Sequence, residues 1–166
     1  MTDPRWLDER EMAAWQGFLR ASNLVGRRLE QQLREESGLS HPQYEILVRL
    51  SEAAGGEIRM TELARSLVTS KSGLTYQIGR LEKRGLVSRR SCESDVRGVW
   101  ARLTAEGGRV LREAAPGHVA AVREALIDVL GTAELELLAD GLGRVAHRLD
   151  PEDRSPSDRG PDRDEE

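Results

Sequence analysis

Residues 60–103 read MTELARSLVTSKSGLTYQIGRLEKRGLVSRRSCESDVRGVWARL. Leu74, Ile78 and Leu81 recur there at steps of four and three, as on one face of a helix. Thr69 or Ser70 can cap that helix. It runs to Arg84, and Gly85 ends it in a left-handed conformation with Leu86 packing back. A shorter helix, Glu62 to Leu67 capped by Thr61, precedes it after a break. Leu86–Ser91 and Val99–Leu103 read as two strands, with Val87, Val99 and Leu103 as β-formers. Seven residues between them, including Gly98, form a long charged loop. Helix, break, helix and hairpin in that order make a winged helix-turn-helix.

Outward from this unit the chain is helical. From Pro4 to Ser37, Trp15, Phe18, Val25, Leu29 and Leu33 share one face. Gly38 stops that helix. Ser40 caps a second, with Pro42 just inside it and Tyr44, Leu47 and Leu50 facing a core. It ends near Gly55-Gly56, and Glu57–Met60 is extended. Thr104 caps a long fifth helix in which Pro116 predicts a kink or break. Gly131 ends it, and Thr132 caps a sixth. Leu135, Leu138, Leu142, Val145 and Leu149 then alternate at steps of three and four, an a/d seam that needs a partner helix.

The expected fold is therefore mainly α with a small β-hairpin wing: a winged helix-turn-helix between long N- and C-terminal dimerisation helices. Residues 1–38 would form the first dimerisation helix, 39–104 the DNA-binding lobe and 105–150 the C-terminal dimerisation helices. A homodimer is the simplest way to bury apolar surface on both termini, an intramolecular bundle being the alternative. Residues 151–166 hold three prolines and no large apolar side chain, and read as a disordered acidic tail.

The net charge of −4 hides an uneven distribution. Residues 152–166 carry seven acids and three arginines, so the remaining body is neutral. Within it, 59–109 holds eleven bases against five acids. A basic block between acidic flanks is the footprint of a polyanion-binding surface. One cysteine, Cys92, rules out an internal disulfide and a multi-cysteine metal site. His41, His118 and His147 are too scattered for zinc. No metal or other cofactor is expected. Neither Walker A, His-Glu-x-x-His, Gly-x-Ser-x-Gly nor a dinucleotide fingerprint is present, so an enzyme is not expected. With no apolar run of about 18 residues and no signal region, a cytoplasmic protein without membrane contact is expected.

Wound at 100° per residue, the helix containing Leu74 turns Ser72, Thr75, Tyr76, Gly79, Arg80 and Lys83 away from the core. Hydroxyls, a phenol and cations without an acid suit base edges and phosphates. The N-terminal part, Ser70, Lys71, Ser72, Thr75 and Tyr76, would enter the major groove. Arg89, Arg90 and Arg102 lie on the hairpin strands. Arg97, at the wing tip, suits the focused negative potential of a narrow minor groove, with Asp95 placed to pair with an arginine there. The alternative, a winged helix that binds protein, has no need of an acid-free face.

This stretch resembles the MarR family of bacterial transcriptional regulators. The features are the helix pair, the LEKRGLV exit, the D-x-R-G wing tip at Asp95, Arg97 and Gly98, and LT-x-x-G at Leu103, Thr104 and Gly107. The resemblance extends over about residues 6–149. Val96 stands where the family typically has a first arginine, which leaves Arg97 as the single tip base. The resemblance implies a homodimeric repressor on a pseudo-palindromic double-stranded DNA operator, with half-sites about 10 bp apart. It further implies release by an effector that favours another spacing of the lobes. A small aromatic or phenolic effector could be lined by Trp15, Phe18, His41 and Tyr44; the alternative places Trp15 and Phe18 in the dimer core and Tyr44 in the lobe core. A cysteine-based redox switch at Cys92 is the other reading, with Arg89 and Arg90 lowering and Glu93 raising its thiol pKa.

Arg97→Ala is expected to weaken duplex binding strongly while leaving the dimer intact. Unchanged affinity in an anisotropy titration would remove the wing from the interface.

Overall fold

The computed structural model describes residues 4–92 and 95–149, with the side chains of 91, 92 and 95–97 outside the description. It contains α1 (Glu9–Ser37), α2 (His41–Glu52), a 3₁₀ turn (Ala54–Gly56), β1 (Glu57–Arg59), α3 (Met60–Ser66) and α4 (Lys71–Lys83). β2 (Val87–Cys92), β3 (Asp95–Leu103), α5 (Ala105–Ala125), a second 3₁₀ turn (Ile127–Val129) and α6 (Thr132–Leu149) follow. The expected winged helix-turn-helix is present, with its three antiparallel strands in the order β1-β3-β2.

Residues up to Leu126 form one compact unit and those from Ile127 a second. The core of the first is built from Leu33 of α1, Leu47 and Leu50 of α2, Leu63 of α3, and Leu74, Ile78 and Leu81 of α4. Leu86, Val87, Ala101 and Leu111 complete it. Each of the three α4 residues is at most 1 % exposed, so the helical face read from their spacing is the buried one. On α5, Gly107, Leu111, Ala114, His118 and Ala121 are buried at steps of four and three. That stripe is what a helix needs to lie along a neighbour, and α5 packs chiefly on α1.

Several boundaries differ from the sequence reading. α1 starts at Glu9, because Asp8 and Glu11 form a reciprocal capping box. α3 starts at Met60, with Arg59 in the cap position and no side-chain cap, so Thr61 lies inside the first turn. The strand feeds directly into the helix and leaves no room for a separate capping residue. The hairpin strands are longer than expected. Pairing continues to Cys92 opposite Asp95, with a register shift between Ser91 and Cys92. Only Glu93 and Ser94 lie between the strands, and they are outside the described residues.

α5 is not broken at Pro116. Proline removes one N–H from the ladder, but Ala114, His118 and Ala121 on either side are buried and hold the helix in place. The helix ends at Ala125, earlier than Gly131. Gly131 instead precedes α6, where its N–H donates to Glu134 Oε2 at 2.7 Å. Thr132 is the first helical residue and not the cap, so Glu134 reaches back to the residue before the helix. Taken by itself, α6 has no buried residue, and Leu138, Leu142, Val145 and Leu149 of its apolar seam are exposed.

The exit from α4 is closed by a Schellman turn. Leu86 N–H donates to Leu81 O at 3.0 Å and Gly85 N–H to Glu82 O at 2.9 Å, with Gly85 at φ 71°. The start of α5 is bonded to the same turn. Thr104 N–H donates to Leu86 O at 3.1 Å, and its hydroxyl donates to Gly85 O at 2.7 Å. Gly107 lies so close that a Cβ there would overlap the Leu86 carbonyl oxygen. Gly107→Ala should therefore cost about 2–3 kcal/mol, because backbone must move to admit the methyl group. Equilibrium urea unfolding measures this, and a loss under about 0.5 kcal/mol would mean that the turn gives way freely.

Candidate nucleic-acid interface

The exposed face of α4 starts at its cap. Ser70 Oγ accepts the Gly73 N–H at 3.1 Å and lies 3.3 Å from Ser72 Oγ. Thr75 Oγ1 donates to the Lys71 carbonyl at 2.7 Å. Its proton is spent within the helix, so outward it offers acceptor lone pairs. Lys71, Ser72, Thr75, Tyr76, Arg80 and Lys83 are all exposed, Tyr76 by 61 %. Among the described residues Lys71, Arg80 and Lys83 form no ion pair.

The one acid of α4 is turned aside. Glu82 pairs with Arg89 at 2.6 Å and also accepts the Arg89 N–H at 3.1 Å. Arg89 thus fastens β2 to α4, a role the sequence does not show. Asp95 and Arg97, and the thiol of Cys92, lie outside the described residues.

Sequence reasoning missed a layer on the sheet. Trp100 on β3 is paired in register with Arg59 on β1 and Arg90 on β2. The two guanidinium groups lie 5.3 and 5.6 Å from its ring centroid. Arg90 also makes a two-pronged bond to Glu57, at 3.0 and 2.6 Å. That bond and the Arg90 charge hold the Glu57 carboxyl below its ordinary pKa. The i, i+2 spacing of Trp100 and Arg102 was the available signal, but the partners depend on register across three strands.

The four residues suggested for an effector are not gathered in one place. Trp15 and Phe18 stack on each other, with centroids 6.2 Å apart, and both are about half exposed. His41 and Tyr44 lie at the C-terminal half of α1, where Glu30 accepts the His41 N–H at 2.6 Å. Glu30 is 12 residues beyond Phe18, or about 18 Å along a helix. The missing member of the second group is His118 of α5. Its ring lies 4.3 Å from that of Tyr44 and 5.7 Å from that of His41, and its Nδ1 is 3.4 Å from Gln32 Oε1. Only its place in the apolar stripe of α5 pointed to it.

Burial, and secondarily the charge of His41, lowers the pKa of His118. At Glu30 burial acts upward, but the His41 N–H bond and Arg34 outweigh it and leave the carboxyl below its ordinary value. The unfolded chain therefore binds more protons at position 118 than the folded one once pH falls below the ordinary histidine range. Stability from this site is full near pH 7 and above and declines as pH falls below about 6.5. The thermal midpoint of the wild type should fall more steeply from pH 7 to pH 5 than that of His118→Gln. Parallel curves would show that His118 is not the group responsible.

Comparison with known proteins agrees with this geometry. Residues 39–99 match the family model described as MarR family. Sco3205, a MarR family transcriptional regulator from Streptomyces coelicolor solved in complex with DNA, is 41 % identical. It superposes with a TM-score of 0.87 over 92 % of this chain and 95 % of its own. AbsC, a MarR family regulator from the same organism, is 43 % identical with a TM-score of 0.83, over 88 % and 98 % of the two chains. The HTH-type transcriptional repressor YetL of Bacillus subtilis is 31 % identical over 68 % of this chain, and the match spans 66 % of its length. Among the described residues, no helix is long and apolar enough to cross a membrane. With its winged lobe, its exposed acid-free recognition face and relatives of this identity and coverage, the chain belongs to the MarR family of transcriptional regulators.

Proposed function

We propose that this protein is a homodimeric repressor that reads a pseudo-palindromic DNA operator with two copies of α4. The observation that carries this reading is the α4 surface itself. Three cations without ion pairs among the described residues stand beside hydroxyls and a phenol, while the only acid is held by Arg89. Ser70, Lys71, Ser72, Thr75 and Tyr76 face the major groove, and Arg80 and Lys83 bind phosphates. Arg89 acts by bracing the wing, and Arg97 with Asp95 forms the minor-groove contact. Residues 39–104 are the reading lobe, with 1–38 and 105–150 as the dimerisation segments. Met12, Trp15, Phe18 and Leu19 on α1 and Leu138, Leu142 and Val145 on α6 supply apolar surface for that dimer.

Release follows from a small aromatic or phenolic molecule that favours a different spacing of the lobes. His41 and Tyr44, joined by His118, are the residues assigned to it. Trp15 and Phe18 go to the dimer contact, since helix geometry sets them too far along α1 to share that site.

The test is salt dependence. If each lobe neutralises phosphates through Arg80 and Lys83, four contacts per dimer should cost about 10²-fold in affinity between 50 and 200 mM salt. Fluorescence anisotropy with a duplex carrying the promoter region upstream of the gene measures this. A flat response would favour a protein-binding winged helix. In the same assay Tyr76→Ala should change the preference among sequences more than the affinity for random duplex. A uniform loss would limit Tyr76 to the phosphate backbone.

A further inference from the structure

We propose that Arg84 is a positioning residue that sets the distance between the two half-sites this protein accepts. The inference rests on the duplex-reading role argued above and adds a residue to it. Arg84 is the C-cap of the recognition helix, immediately before the left-handed Gly85. Its side chain does not point along α4. Nη1 donates to the Gly38 carbonyl at 3.0 Å and Nη2 to the Ser37 carbonyl at 3.1 Å. Those two carbonyls end α1.

The last turn of α1 has orphan acceptors, as every helix does. Ser37 Oγ donates to Leu33 O at 2.7 Å, and Gly38 N–H to Arg34 O at 3.2 Å. The last two carbonyls, those of Ser37 and Gly38, are met by Arg84. A guanidinium is suited to this, because its charge complements the negative end of the helix dipole and its planar fork can reach two acceptors at once. A lysine would supply the charge without the fork.

The consequence lies in what the two helices carry. α4 carries the recognition face, and α1 carries the half-exposed Met12, Trp15, Phe18 and Leu19 assigned to the dimer. Arg84 bonds the end of one to the end of the other, over 46 and 47 residues of sequence. The distance from a recognition helix to the dimer axis is therefore fixed partly by this clamp, and twice that distance sets the half-site spacing. The clamp is not what folds the lobe. Leu33 and Leu39 are fully buried beside it, and the α4 exit is closed by its own backbone bonds. Removing it should leave the fold and loosen the geometry.

The experiment is selection from a random-sequence duplex library by the full-length wild type, Arg84→Met and Arg84→Lys. Circular dichroism and dimer mass are recorded for each. The wild type should recover one half-site sequence at one spacing. Arg84→Met should recover the same half-site sequence at two or more spacings and bind the wild-type consensus about tenfold more weakly. Arg84→Lys should fall between them. A folded Met variant with a single unchanged spacing would overturn the proposal. So would a changed half-site sequence, which would make Arg84 a base contact. If the Met variant does not fold, the Lys variant decides alone, and a wild-type spacing distribution there would overturn the two-carbonyl clamp. A wild type that recovers no sequence would overturn the duplex-reading role itself, and this one with it.

Discussion

Everything near the recognition helix depends on how the chain leaves it. Gly85 in the left-handed region lets Leu86 turn back into the core and its N–H reach the Leu81 carbonyl at 3.0 Å. This turn is a junction as much as a stop. Glu82 before it holds the wing strand through Arg89, Arg84 holds the end of α1, and the carbonyls of Gly85 and Leu86 accept bonds from Thr104. Gly107 presses against its far side. Four neighbouring residues thus orient α4 against the wing, α1 and α5. The orientation of a helix within its domain needs such external references, since its own backbone bonds fix only its internal shape.

The same residues sort the charge. A block of eleven bases and five acids would be a mixed surface if its ions paired at random. Instead Glu82 is spent on Arg89 and, from outside the block, Glu57 on Arg90. These pairs at the surface add little stability, because water screens them. Their effect is one of placement: they take acids and some arginines out of the open field and leave the cations of α4 to face solvent.

The apolar surface is divided in a comparable way. The single stripe read along α1 splits in two. Leu29 and Leu33 are buried, whereas Trp15 and Phe18 remain half exposed. The junction where the buried part meets α2 and α5 gathers His41, Tyr44, Gln32 and His118. Polar rings in that position are costly to bury unless they are partnered, which makes the junction more responsive to pH or to a bound molecule than a leucine contact would be.

The element order, the buried face of α4, the Ser70 cap, the Gly85 stop and the acid-free recognition face were all legible in the sequence. Each depends on interactions within about four residues or on helical period, and such information is local. The start of α3, the end of α5 and the unbroken passage through Pro116 were not legible. There a strand running directly into a helix, or a packed neighbour, outweighed the local signal. The partners of Arg84, Arg89 and Arg90, the sandwiching of Trp100 and the joining of His118 to Tyr44 were likewise invisible. They link residues that are 7 to 74 positions apart. The sequence by itself determined that a capped helix with one buried face and one exposed, acid-free face exists. Only the tertiary structure decided what holds that helix in place, because long side chains find their acceptors only after the helices have packed.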